Sequence, residues 1–242
     1  MRYVIFGDIH GNLEALTAVL EQAREEKPDQ YICVGDIVGY GANPAECLEE
    51  TRKLNPVMVA GNHDFAAAGI LNTSFFNPYA LDSINWTIKQ LNADDLNFLR
   101  RLKLLQKINE DVTVVHSNLF APELFEYIQT SYDVQLGLSY LSTPVCFIGH
   151  SHVPVGFSLT RGTLSFITDT TIKIAPGSKI IINIGSVGQP RDENPQATYA
   201  VYDTEENLVR LKRVDYDVNR AARKIIQAGL PVILADRLKY GR

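Results

Sequence analysis

The sequence has five histidines, and all five, His10, His63, His116, His150 and His152, stand just past the end of a short apolar run. Four such runs end in glycine followed at once by a side chain able to hold a metal: YVIFG before Asp8, YICVG before Asp36, VMVAG before Asn62 and VCFIG before His150. A fifth run, VTVV, leads directly into His116. Asp8 and His10 are separated by one residue, as are His150 and His152, so in extended chain each pair projects to one side. Glycine ahead of a ligand lets the backbone turn tightly and approach the site. Each motif alone has a plainer reading. Gly-Asp after a strand is a common turn, and Asn62 by itself reads as a helix cap. In Gly61-Asn62-His63-Asp64 three neighbouring groups could each bind a metal, move a proton or cap a helix. The same kind of group at five strand ends favours a metal centre, because in open α/β sheets sites lie beyond the carboxyl ends of the strands. Oxygen and imidazole donors without thiolate suit Mn, Fe, Co, Ni or Zn.

The elements that must carry these groups alternate in the first half of the chain. Tyr3 to Phe6, Tyr31 to Val34 and Val57 to Ala60 read as strands. Asn12 to Glu26 carries a helical apolar stripe with Asn12 as cap, and Pro44 to Leu54 is a helix opened by Asn43 and Pro44 as cap and first-turn pair. A helical stretch is expected from Asn77 to Leu105, broken near Asn92 to Asp94. Beyond the strand Val112 to Val115 another is expected from about Glu123 to Leu141, followed by the strand Val145 to Ile148. From Val153 the texture becomes short β-prone runs: Val155 to Leu159, Thr163 to Thr168, Thr171 to Ile174, Ile180 to Ile184, Tyr199 to Asp203 and Val209 to Val214. Asp217 to Ala228 reads as a closing helix ended by Gly229. The pattern predicts one α/β domain over residues 1–242, with two sheets packed face to face and helices outside.

Composition narrows the function classes. The 242 residues are 45% apolar and 21% charged, the profile of a globular protein. No run approaches the roughly 20 uncharged residues of a membrane helix, and the chain opens into a strand without a leader, so a cytoplasmic location is the expectation. A net charge of −5 argues against nucleic-acid coat binding. Nine of the 23 basic residues follow residue 207, interspersed with Asp215, Asp217 and Asp236, which suits a solvated helix face. Cys33, Cys47 and Cys146 are too widely spaced for a zinc or redox pair, and Cys33 and Cys146, inside apolar strand-like runs, read as reduced core residues. Nothing in the sequence excludes a homo-oligomer.

Taken in order, Gly7-Asp8-Ile9-His10, Gly35-Asp36, Gly61-Asn62-His63-Asp64, His116 and Gly149-His150-Ser151-His152 resemble the calcineurin-like metallophosphoesterases. The resemblance spans about residues 1–152. It extends into INIGSVGQPRDENPQATYAVYD, Ile182 to Asp203, which is similar to the C-terminal signature of small bacterial members. Those members usually have proline where this chain has Ile184, and often glycine where it has Ser117. The family implies a four-layer αββα sandwich with two mixed sheets. It implies two divalent transition-metal ions, with Mn expected for activity. One ion would take Asp8, His10, Asp36 and His152, and the other Asp36, Asn62, His116 and His150, with Asp36 bridging.

The resemblance further implies hydrolysis of a phosphoester by metal-activated water. Four positive charges from two ions, less the charges of Asp8, Asp36 and a hydroxide, leave a net positive pocket for an anionic phosphate. His63 is the expected general acid for the leaving group, set against a purely structural role. Asp64 is expected to orient and charge that imidazole, with a helix-end charge as the competing reading.

Substrate choice is less legible. Related serine/threonine phosphatases follow the second motif with arginines that grip a monoester, whereas residues 35–43 here, GDIVGYGAN, hold none. A phosphodiester or nucleotide phosphoanhydride is therefore the expected substrate, a small molecule. The segment HSNLFAPELFEYI resembles dinucleoside-polyphosphate hydrolases; Phe120, Phe125 and Tyr127 could stack on a base or simply pack in the core. Tyr40, Asn43 and Arg191 are candidate substrate contacts, Arg191 being equally well placed for an ion pair. Two other readings stand behind these. A non-catalytic scaffold is disfavoured because such relatives lose the histidine that His63 supplies, and a nuclease would need a basic groove.

Overall fold

Alternating side chains divide the core into layers. The computed structural model describes residues 1–160 and 162–242. In it, β1 (Arg2–Phe6) sends Val4 and Phe6 to one side and Tyr3 and Ile5 to the other, the period of two expected of a pleated strand. β1 runs parallel to β2 (Gln30–Cys33), which runs parallel to the two-residue β3 (Val57–Met58). On its other edge β1 pairs antiparallel with β11 (Ala197–Asp203), followed by β12 (Leu208–Val214) and β9 (Thr171–Lys173). The first sheet thus has the order β3-β2-β1-β11-β12-β9 and joins strands from opposite ends of the chain.

The second sheet is also mixed and six-stranded. It comprises β4 (Leu105–Ile108), β5 (Val112–Val115), β6 (Val145–Ile148), β10 (Lys179–Asn183), β7 (Val155–Thr160) and β8 (Thr163–Ile167), in that spatial order. Tyr3, Ile5, Ile32 and Tyr202 from the first sheet meet Val112, Val114, Phe147, Ile180 and Ile182 from the second in a shared apolar layer. The opposite faces are covered by helices. α1 (Leu13–Glu25), α2 (Pro44–Lys53), α4 (Pro78–Gln90) and α5 (Ala93–Arg100) lie over the first sheet, and α6 (Ser131–Tyr140) over the second. This is the expected four-layer sandwich with two mixed sheets.

Several boundaries differ from the sequence reading for identifiable reasons. Asn92 does break the 77–105 stretch, its side chain capping α5 by accepting from Asp95 N–H. Residues 105–108, however, form β4 rather than helix end, because they pair antiparallel with β5 and show strand alternation. Between 122 and 130 there is only a single 3₁₀ turn, Pro122–Leu124, closed by Phe125 in the left-handed region at φ 52°. Asn43 precedes α2 without capping it. Its amide donates to Glu46 and its carbonyl accepts from Lys224 Nζ. After α7 (Val218–Gln227) the chain forms a further helix, α8 (Val232–Tyr240), which the sequence reading lacked. α7 and α8 close an apolar cluster with Tyr40 and Ala80 beside the strand ends. Among the described residues no helix is long and apolar enough to cross a membrane.

Candidate metal centre and phosphoester site

The parallel strands of both sheets end in the same place, and six of the seven predicted ligands are buried there, Asn62 being half-buried. Asp8 and His10 follow β1, Asp36 follows β2, His116 follows β5, and His150 and His152 follow β6. Asn62 opens the short helix α3 (Asn62–Ala67) after β3. Asp8, His10, Asp36 and His152 form one potential metal cluster, and Asp36, His116 and His150 a second that shares Asp36. Asp36 Oδ2 stands 3.6 Å from His10 Nε2 and 3.4 Å from His116 Nε2. Asp8 Oδ1 lies 3.2 Å from His152 Nε2.

Backbone conformation at these positions is unusual. Asp8, His10, Asp36, His150 and His152 all have positive φ, between 46° and 68°. Each such residue costs on the order of 1–3 kcal/mol, and the strain aims successive side chains at one point. Glycines clear the space. A Cβ at Gly61 would collide with the Asp36 carboxylate, and one at Gly149 with that of Asp8.

The ligands are held by fixed partners. His10 Nδ1 faces Val38 O at 3.2 Å, His116 Nδ1 faces Val34 O at 2.7 Å, and His152 Nδ1 faces Gln189 O at 2.6 Å. A ring that donates Nδ1–H to a carbonyl presents Nε2 as a bare lone pair. The Nε2 atoms of His116 and His150 and Oδ1 of Asn62 are buried without any hydrogen-bond partner. Buried polar atoms left unpaired are costly, whether as the lone pairs of His150 and Asn62 or as the N–H of a protonated His116, and divalent ions would take the partner's place at each. The donor set therefore fits metal.

Carboxylates are positioned by backbone N–H groups. His63 N–H donates to Asp36 Oδ1 at 2.8 Å, leaving Oδ2 toward His10 and His116, and His150 N–H donates to Asp8 at 3.0 Å. Burial opposes the charge on Asp36, but His116 and the neighbouring imidazoles outweigh it and hold the carboxyl well below its usual range. Burial likewise keeps His10, His150 and His152 below the ordinary imidazole value, neutral and ready to ligate. His116 is the exception. Burial again disfavours its charge, yet Asp36 prevails and pushes it up to about 9.

His63 lies among the ligands, with its ring 4.9 Å from that of His10, 4.4 Å from Tyr40 and 5.1 Å from Phe76. Its Nδ1 has no hydrogen-bond partner. Burial lowers it to about 4, so an imidazolium there needs negative charge beside it, which an anionic substrate brings.

Asp64 corrects one expectation. Its carboxylate does not engage the His63 ring but accepts from the backbone N–H of Asp36, Ile37, Val38 and Gly61, at 2.8, 2.9, 3.3 and 3.0 Å. It fastens the loop after β2 to the start of α3, nearer the helix-end reading than a proton-relay partner. Asn43, tied to Glu46 and Lys224, lines a small recess of about 10 Å³ behind Tyr40 rather than the open groove. Tyr40 and Arg191 do line that groove, which measures about 270 Å³ and is also lined by Asn62, His63, His150 and His152. Phe125 is buried against Phe65 and His116, while Tyr127 stacks on His150 at 4.1 Å.

The sequence reading missed the residues that stitch loop 184–191 onto the site. Ser186 Oγ donates to Asp8 O, Gly188 N–H donates to the same carbonyl, and Asn12 Nδ2 donates to Gly188 O. Asn183 bonds Gly149 O and Ser151 Oγ and so fixes the turn between His150 and His152. Ile184, where relatives usually have proline, uses its N–H to bond Ile148 O at 3.0 Å. That bond, which proline could not form, adds one residue to the pairing with β6. The only sequence signal for this role was the likeness of Ile182 to Asp203 to a family signature.

Residues 1–154 match the family model of the calcineurin-like phosphoesterases. The chain belongs to the calcineurin-like phosphoesterase family. An uncharacterized protein of Methanocaldococcus jannaschii is 39% identical over 241 residues, covering 98% of this chain and 97% of its own. The crystal structure of a metallophosphoesterase from Sphaerobacter thermophilus superimposes with a TM-score of 0.87 at 39% identity, over 100% of this chain and 99% of that one. A symmetrical bis(5′-nucleosyl)-tetraphosphatase of Yersinia pestis is 34% identical over only 110 residues, 44% of this phosphoesterase and 38% of that enzyme. Membership supports a hydrolase that uses divalent metals.

Proposed function

We propose that the chain is a dinuclear phosphohydrolase acting on a phosphodiester or a nucleotide phosphoanhydride. The observation that carries this reading is the sharing of Asp36 between two potential ligand clusters, beside which Nε2 of His116, Nε2 of His150 and Oδ1 of Asn62 are buried without a partner. Asp8, His10, Asp36 and His152 would hold one divalent ion, and Asp36, Asn62, His116 and His150 the other. Such a pair, when bound, supplies Lewis acidity that lowers the pKa of water and draws charge from phosphoryl oxygens.

The chain's own groups do the rest. His63 faces the groove next to Asn62 and delivers a proton to the leaving oxygen, an effect worth typically 100- to 10,000-fold. Arg191, held by Gln189 Oε1 at 3.0 Å, lines the groove and offers a guanidinium donor to a phosphate oxygen. With no arginine in residues 35–43 to hold a dianion, diesters and anhydrides are preferred to monoesters.

A narrower reading, hydrolysis of a dinucleoside polyphosphate, draws on the partial match to the tetraphosphatase. The test is reconstitution of stripped protein with Mn, Fe, Co, Ni or Zn, assayed on bis-p-nitrophenyl phosphate, p-nitrophenyl phosphate and diadenosine tetraphosphate. Absence of hydrolysis with every metal would sink the enzyme reading. Monoester turnover well above the other two would overturn the substrate preference.

A further inference from the structure

The groove above the metal ligands has a wall that the hydrolytic chemistry does not use. Phe75 is 91% exposed, Leu124 59% and Tyr127 43%, and all three line this groove. Single exposed apolar side chains are ordinary, but a group of them around a concave site marks a ligand surface. The wall is built rather than loose. Residues 73–75 form a 3₁₀ turn capped by Asn72, whose carbonyl accepts from Ser74 N–H, and closed by Phe76 N–H to Thr73 O. Ile70 and Leu71 both donate their N–H to Phe65 O, and Phe76 packs on the His63 ring, so the turn is referenced to the site itself. Across the groove Tyr127 is pinned by its stack on His150, with an interplanar angle of 22°.

Polar groups interrupt this aromatic surface in a way that selects the guest. Asn72 and Asn77 each spend their carbonyl on a cap, to Ser74 and Ala80 respectively, and line the groove. Their amide N–H₂ groups remain available as donors. An acyl chain would bury those donors unpaired. A flat ring with acceptors on its edge satisfies both kinds of surface. At about 270 Å³ the groove lies just below the usual range of about 300–1,000 Å³ for small-molecule sites, which suits one nucleoside monophosphate unit.

We infer that Phe75, Leu124 and Tyr127 form a nucleobase subsite, placing a purine or pyrimidine ring on the aromatic wall while its phosphate reaches the ligand cluster. This rests on the phosphohydrolase reading only for the seat of the phosphate. The test is equilibrium binding of adenosine 5′-monophosphate and of ribose 5-phosphate to Mn-loaded protein. The two probes share the phosphate and differ in the base. Base–aromatic stacking predicts at least about fivefold tighter binding of the nucleotide. Phe75→Ala, at a position too exposed to unsettle the fold, removes most of that difference, Phe75→Trp preserves it, and Leu124→Ala reduces it. Equal affinities in the unsubstituted protein, or a preference unmoved by Phe75→Ala and Leu124→Ala, overturn the base subsite and leave the phosphohydrolase reading intact. Failure of both probes to bind, together with failure of every hydrolysis assay above, overturns both.

Discussion

The Nε2 atoms of His10 and His152 face each other at 3.1 Å, each ring having turned its Nδ1 to a backbone carbonyl. Two lone pairs in that position repel unless a cation lies between them. Metal should therefore stabilise the native state strongly. At a metal concentration 100 times Kd the gain is about 2.7 kcal/mol, or roughly 5–10 °C in Tm for a chain of this size. Thermal unfolding of stripped and reloaded protein measures it, and His152→Ala should lose most of the increment.

Metal loading should release protons. In the metal-free protein His116 sits at about 9, against an ordinary 6.5, since the Asp36 carboxylate outweighs the effect of burial. At neutral pH it carries a proton that the ion must displace. Affinity for the ion on His116 should fall about tenfold per pH unit below 9. Calorimetry in buffers of differing ionisation enthalpy should count about one proton released at pH 7.5. The same raised value contributes stability to the stripped protein that is fully present below about pH 6.5 and is lost as pH rises through 9.

His63→Ala and Asp64→Ala should part company. The first removes the proposed proton donor and should lower kcat by about 100- to 10,000-fold, with the metal content of the unsubstituted protein retained by elemental analysis. The second leaves four buried backbone N–H groups without an acceptor. That costs on the order of 3 kcal/mol or more, visible as a lower denaturation midpoint and weaker metal retention. Loss of metal in His63→Ala would contradict the assignment of that histidine.

Gly61→Ala and Gly149→Ala place a methyl group against the carboxylates of Asp36 and Asp8. Each should lose metal stoichiometry well beyond any change in secondary structure, as circular dichroism and metal analysis together would show.

What the sequence determined by itself is local. A glycine-terminated apolar run followed by a ligand specifies a strand and the group at its end within a few residues, so Asp8, His10, Asp36, Asn62, His116, His150 and His152 were all legible as candidate ligands. The cap at Asn12 and the helix break near Asn92 were legible for the same reason. Tertiary structure decided what depends on groups far apart in the chain. Asp64 bonds to residues 26–28 positions away, so its scaffold role could not be told from an orienting one by its place beside His63. The strand 105–108 exists only because β5 offers it a partner. The groove wall joins Phe75, Leu124 and Tyr127 from two distant segments, and no pattern along the chain encodes a surface that arises when two loops meet.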